Sequence, residues 1–165
     1  MKKSELIARK MPNPDAFSKM LGVWRFQEKK IVFTNGCFDL LHLGHIDYLA
    51  KAKDLGDILV VGVNTDASVT RLNKGKNRPI TDQQSRATLL ASLFFVDAVV
   101  LFDEDTPYEL IKTVQPDVLV KGSDYKPEEI VGYDVVTAKE GEIKTLDFLQ
   151  GYSTTLIEQK ILRGC

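Results

Sequence analysis

The sequence predicts an α/β fold, a doubly wound, Rossmann-like three-layer sandwich around a mainly parallel sheet of about five strands. Short β-branched runs that are apolar on both faces alternate with segments whose apolar residues recur at helical spacing. The unit from Lys30 to Val63 also has the length that a right-handed crossover between parallel strands needs.

Lys30–Thr34 (KIVFT) reads as a buried strand that stops at the turn pair Asn35-Gly36. From Leu43 to Leu55 the residues Ile46, Leu49, Ala50 and Ala52 recur at helical spacing, and Gly56 ends the pattern. Asp57–Val63 (DILVVGV) is the second strand. Asp82–Phe95 reads as a helix, Val96–Phe102 as a strand, and Pro107–Val114 as a helix with proline in its first turn. Asp117–Val120 is a further buried strand, and Asp134–Ala138 and Ile143–Leu146 each read as a short one. Ser153–Leu162 closes the chain as a helix capped by Ser153 or Thr154. Ahead of the first strand, Phe17, Met20, Leu21 and Trp24 share one face of a helix over Ala16–Phe26. Residues 1–29 are therefore expected to be a helical appendage and a candidate homodimer contact, and residues 30–165 the main domain.

At 165 residues the chain has the size of one ordinary domain. Its 22 basic and 23 acidic residues leave a net charge of −1, so no global field would hold it on nucleic acid or an anionic membrane. No stretch has the make-up of a signal peptide or the length of a membrane span. Cys37 and Cys165 form neither a disulfide framework nor a metal spacing. A cytoplasmic protein with no resident metal, acting on small molecules, is the expectation.

Ligands of open α/β sheets bind beyond the carboxyl ends of the strands, which selects the loop Asn35–Gly44 (NGCFDLLHLG). Gly36 permits a tight turn and close approach of a ligand, and the following helix start offers unpaired N–H groups to a phosphate. His42 and His45, the only histidines in the chain, are three apart at that helix start, so both rings can point to one side. The alternatives are histidines satisfied by backbone carbonyls, or metal ligands lacking a third partner. Downstream, RLNKGKNRP brings Arg71, Lys74, Lys76 and Arg78 with no carboxylate, as a lid over phosphates or as a solvated loop. Arg86 either joins that group or faces solvent, and Asp103–Asp105 reads as surface or helix-start charge.

His42-Leu43-Gly44-His45, preceded by Gly36-Cys37-Phe38-Asp39, resembles the His-x-Gly-His signature of the cytidylyltransferase-like nucleotidyltransferases. Ser153-Thr154-Thr155 after Gly151-Tyr152 is similar to that family's block at the start of the last helix, and Lys121-Gly122-Ser123-Asp124-Tyr125 to a third block. The resemblance implies ATP as a substrate, Mg2+ leaving with pyrophosphate, and in-line attack of an acceptor phosphate on the α-phosphorus. It implies catalytic roles for His42, His45 and Lys74, with nucleotide contacts from Thr34, Asn35, Gly36, Cys37, Phe38, Gly44, Arg78, Ser153, Thr154 and Thr155. Lys121 and Asp124 would hold the acceptor. Val120–Tyr125, Arg78–Ile80 and Gly151–Thr155 look like the adenylyltransferases of ADP-heptose synthesis, which implies heptose 1-phosphate as acceptor. Glycerol-3-phosphate cytidylyltransferases are the second reading, disfavoured because Phe148-Leu149-Gln150-Gly151 lacks their arginine. A non-catalytic nucleotide-binding module is the third.

Overall fold

A computed structural model describes residues 2–72 and 78–164. Before the sheet stand α1 (Lys3–Arg9) and α2 (Pro14–Phe26), the latter capped by the Asn13 side chain, which accepts from the Ala16 amide at 2.9 Å. The chain then runs through β1 (Ile31–Gly36), α3 (Leu43–Lys53), β2 (Ile58–Asn64), α4 (Asp66–Arg71), α5 (Gln83–Ala91) and β3 (Ala98–Phe102). It continues with α6 (Tyr108–Val114), β4 (Val118–Gly122), a 3-10 turn at Pro127–Glu129, α7 (Tyr133–Thr137), β5 (Glu142–Leu146) and α8 (Thr154–Arg163).

All four strand pairings are parallel, in the order β3-β2-β1-β4-β5. Alternation along the strands divides the interior into two cores. Val32, Leu59, Val61, Val118 and Val120 face α3 and α5, meeting Leu49, Ala52, Ala87 and Leu90. Ile31, Phe33, Val60 and Leu119 face the opposite way, onto Phe17 and Leu21 of α2, Ile111 and Val114 of α6, and Val136 of α7. With both faces covered, the inner strands β1, β2 and β4 are apolar along most of their length, and that is the pattern read from the sequence. The chain leaves β1 toward β2 on one side and reaches β4 on the other. This reversal opens a crevice at the carboxyl ends of β1 and β4.

The helices before β1 lie on the domain. Phe17 and Leu21 join the second core, and the Lys10 carbonyl accepts from the Val99 amide of β3 at 2.7 Å. The polar sequence of α1 gave no sign of that helix. One expected strand is a helix instead: Asp134–Ala138, chosen for its β-branched residues, falls in α7. Gly132, at φ 90°, turns the chain there, and a Cβ on it would meet Ile111 at 2.7 Å. Val136 is fully buried, and this packing outweighs the local β preference. The helix expected to reach Phe95 stops at Ala91. Among the described residues no helix is long and apolar enough to cross a membrane.

Candidate active site

The crevice at the ends of β1 and β4 is a cleft of about 590 Å³. Asn35, Gly36, Cys37 and Phe38 line it from β1, and His45 and Tyr48 from α3. Lys121, Gly122, Asp124 and Tyr125 enter from β4, and Thr154 and Thr155 from the start of α8. Three sequence blocks far apart in the chain therefore share one cavity. Gly36 serves by leaving room, since a Cβ there would stand 3.1 Å from the Phe38 ring; the positive φ of the turn, 50°, belongs to Phe38.

His42 takes the cap position of α3, with extended backbone. His45, one turn on, stacks against it with ring centroids 3.8 Å apart and planes 25° from parallel. A Cβ on Gly44 would lie 3.1 Å from the His42 ring and 3.2 Å from Tyr152, so glycine lets the ring fold back and the α8 approach pass close. The Nδ1 atoms of both rings are buried and lack a hydrogen-bond partner within the described structure. Buried polar atoms left this way are rare in folded proteins and mark places a ligand can satisfy. Burial, and then the neighbouring His42, push His45 down to about 4; a backbone hydrogen bond with Leu40 acts the other way. Burial lowers His42 as well.

Burial thus favours the neutral form of both imidazoles. Because the folded value of His45 lies below its ordinary 6.5, the unfolded chain binds more protons between those two values. Stability is then complete above pH 6.5 and is lost as pH falls toward 4. Melting temperature measured from pH 7 down to pH 4 is expected to drop less in His45→Gln than in the parent. Parallel curves would contradict the burial of a neutral ring.

Behind the turn after β1 lies a frame of ion pairs. Asp39 is buried and accepts from the Ile80 amide at 2.8 Å, the Thr81 amide at 2.9 Å and Arg78 Nη1 at 2.9 Å. Burial raises its pKa, but these hydrogen bonds, led by Thr81 and Ile80, prevail and hold the carboxyl below its usual range. Arg78, expected on the nucleotide, lines the cleft yet engages Asp39 and, through Nη2 at 2.7 Å, Glu158 of α8. Arg86 neither faces solvent nor joins a lid. It is 1% exposed and donates to the Cys37 carbonyl at 2.6 Å, the Thr81 carbonyl at 3.0 Å and Asp66 at 2.7 Å. Arg71 ends α4 and pairs with Asp105 at 2.9 Å and with Asp103, so the acidic run answers this charge. Lys74 and Lys76 lie outside the described residues.

On the other wall Lys121 donates to Asn35 Oδ1 at 2.5 Å, joining the ends of β4 and β1. Thr34 is fully buried, its hydroxyl 2.8 Å from that of Tyr48, so it supports the cleft from behind. Burial pushes Tyr48 up to about 12. The Phe148 ring stacks on Tyr48 at 5.6 Å and covers Gly122, where a Cβ would collide with it at 2.3 Å. Asp124 lines the cleft beside them. Ser153 accepts from the Leu156 amide at 3.1 Å and caps α8, leaving Thr154 and Thr155 at the open helix start. Among the described residues no three His, Cys, Asp or Glu side chains gather as a metal site. Tyr48 and Glu158 are not site candidates in the sequence, where each reads as an ordinary helix position.

The profile of the cytidylyltransferase-like family matches residues 33–160. The bifunctional protein HldE of a Nitratiruptor species is 62% identical over 137 residues, which cover 83% of this chain and 28% of that protein. The HldE of Geobacter metallireducens is 54% identical over 155 residues, covering 94% of this chain and 31% of that protein. The chain thus spans about three tenths of the length of these curated relatives. Among solved structures, the lipopolysaccharide core biosynthesis protein from Thermoplasma volcanium superposes with a TM-score of 0.59 at 33% identity, covering 76% of this chain and 99% of that one. A pantoate-beta-alanine ligase from Francisella tularensis, 20% identical, shares the fold with a TM-score of 0.60 over 93% of this chain and 78% of its own.

Proposed function

The chain belongs to the cytidylyltransferase-like family, and on that premise we propose that it transfers AMP from ATP to heptose 1-phosphate and releases pyrophosphate. The observation that carries the reading is His45, which lines one cleft with the open start of α8 and has His42 stacked against it. Neutral imidazole N–H groups and helix N–H groups are matched donors for the phosphates of a nucleotide.

An oxygen of the acceptor phosphate attacks the α-phosphorus, the bond from that phosphorus to the bridging oxygen of the β-phosphate breaks, and pyrophosphate carries away the charge. His42 and His45 donate to the oxygens on which this charge grows, and Thr154 and Thr155 hold the phosphate tail with the α8 N-terminus. Positioning and charge stabilisation suffice, and no covalent enzyme intermediate is needed. Lys74 supplies further positive charge in this reading, and Lys121 and Asp124 hold the sugar phosphate. Asp39 is fully engaged by its protein donors. It is thus not free to ligate a magnesium ion, and any magnesium needed would enter as part of the triphosphate substrate, where it would supply charge neutralisation for the leaving group.

The choice of ATP and heptose rests on the Val120–Tyr125 and Gly151–Thr155 blocks and on the identity to the HldE proteins. Since the chain matches only part of those proteins, nucleotidyl transfer alone is carried over. In this reading the enzyme works in the cytoplasm, where ATP is available. Pyrophosphate release should be measured with ATP or CTP, each with heptose 1-phosphate or glycerol 3-phosphate. ATP with heptose 1-phosphate is expected to lead in kcat/KM by about tenfold or more. A lead for CTP with glycerol 3-phosphate replaces the substrates and keeps the mechanism. Triphosphate binding without release from any pair reduces the protein to a binding module.

A further inference from the structure

We propose that Arg78 and Glu158 are positioning residues: together with Asp39 they form a clasp that sets the N-terminus of α8 against the histidine turn. The proposal rests on the triphosphate reading given above and adds to it how α8 is held.

None of the residues of α8 is buried, yet its first turn forms part of the cleft. A helix held by so little packing orients its N–H groups only as well as its tethers allow. Arg78 supplies one. Its guanidinium reaches in two directions, Nη1 to Asp39 at 2.9 Å and Nη2 to Glu158 at 2.7 Å. Its side chain is 11% exposed and that of Asp39 5%, so this half of the clasp is shielded from solvent; Glu158, at 36%, is the outer half. Asp39 is itself pinned by the Ile80 and Thr81 amides, and Arg86 ties the Thr81 carbonyl to that of Cys37. The guanidinium therefore starts from a rigid base in the histidine loop and ends on the second turn of α8. A fork-shaped donor spans the two carboxylates from separate nitrogens, whereas a lysine would have to meet both from one.

The competing role for Arg78 is direct contact with a phosphate. The two roles give opposite signs for one substitution. If Arg78 meets phosphate, Glu158 competes for it, and Glu158→Ala should tighten triphosphate binding. If Arg78 acts through α8, the same change loosens the helix start and weakens binding. Titration calorimetry of the full chain with ATP and with CTP, without acceptor, reads this directly. Glu158→Ala is expected to weaken binding of whichever triphosphate the parent prefers by about five- to tenfold. Glu158→Gln, which keeps an acceptor oxygen, should fall between it and the parent. Melting temperature should stay within about 2 °C, because the exposed face of α8 adds little to the core. In turnover the loss should appear in KM for the triphosphate and leave KM for the sugar phosphate unchanged. Unchanged or tighter binding in Glu158→Ala, beside a parent that binds normally, overturns the clasp and spares the function. A parent that prefers CTP overturns the choice of nucleotide and leaves the clasp to be read on CTP. A parent that binds neither overturns both.

Discussion

His45→Ala is expected to lower kcat by about 10²–10³-fold, the loss that follows removal of one donor aimed at developing charge. The ring is held edge-on to Phe38 at 5.2 Å and stacked on His42, so it meets phosphate in one orientation. Because its proton affinity is depressed to about 4, it acts as a neutral donor, and its contribution should not vary between pH 6.5 and 8. His45→Gln, which keeps a donor on a flexible stem, should recover part of the rate. The fold should persist, since the ring leaves a buried nitrogen unpaired and its removal relieves that cost. Single-turnover rates with saturating substrates are the measurement. A variant that turns over within about threefold of the parent would remove the histidine from the chemistry.

The largest stability effect is expected at Arg86. Replacing it by methionine, similar in length and uncharged, should destabilise the protein by about 3 kcal/mol or more. Its side chain is completely buried and satisfies two main-chain carbonyls and the Asp66 carboxylate at once. Without it the Cys37 and Thr81 carbonyls are left dry and unpaired, each at a cost of about 1–3 kcal/mol. Asp66 keeps access to water and contributes less. For a domain of this size the change corresponds to a fall of about 6–12 °C in melting temperature. Activity should suffer as well, because Cys37 lines the cleft. Urea unfolding gives the test; a loss below about 1 kcal/mol would mean that the buried guanidinium contributes no more than its packing.

The parts that the sequence disclosed are those whose physics is local. Two-sided apolar runs announce β1, β2 and β4 because a covered parallel sheet admits nothing else there, and Gly44 between two histidines announces the helix start. Ser153 was recognisable as a cap by its place before an apolar periodic segment. What stayed hidden depends on partners remote in the chain. Asp39 and Arg78 look like a motif acid and a loop cation until folding brings them together across 39 residues, and Glu158 joins from 80 residues away. Arg86 reads as a lid cation or a solvent-facing helix residue because nothing nearby in sequence tells that its neighbours are main-chain carbonyls. The misread stretch at Asp134–Ala138 has the same cause: Val136 is helical because of where Ile111 and Gly132 sit.

An open sheet ends in two strands whose outer main-chain groups are a template on which another chain can add. The two ends are guarded differently here. On β5 the guard is chemical: Glu142 and Lys144 pair with each other at 2.8 Å and set charge along the exposed rim. On β3 it is a length of chain, for the Lys10 carbonyl takes up the Val99 amide from the connection between α1 and α2. The Lys10 side chain adds to this guard, its ammonium donating to the Leu93 carbonyl at 2.9 Å. The guard does not tolerate a change in the number of residues that bring position 10 to the rim. The N-terminal segment is thus constrained in register, and it occupies an edge on which another strand could otherwise add.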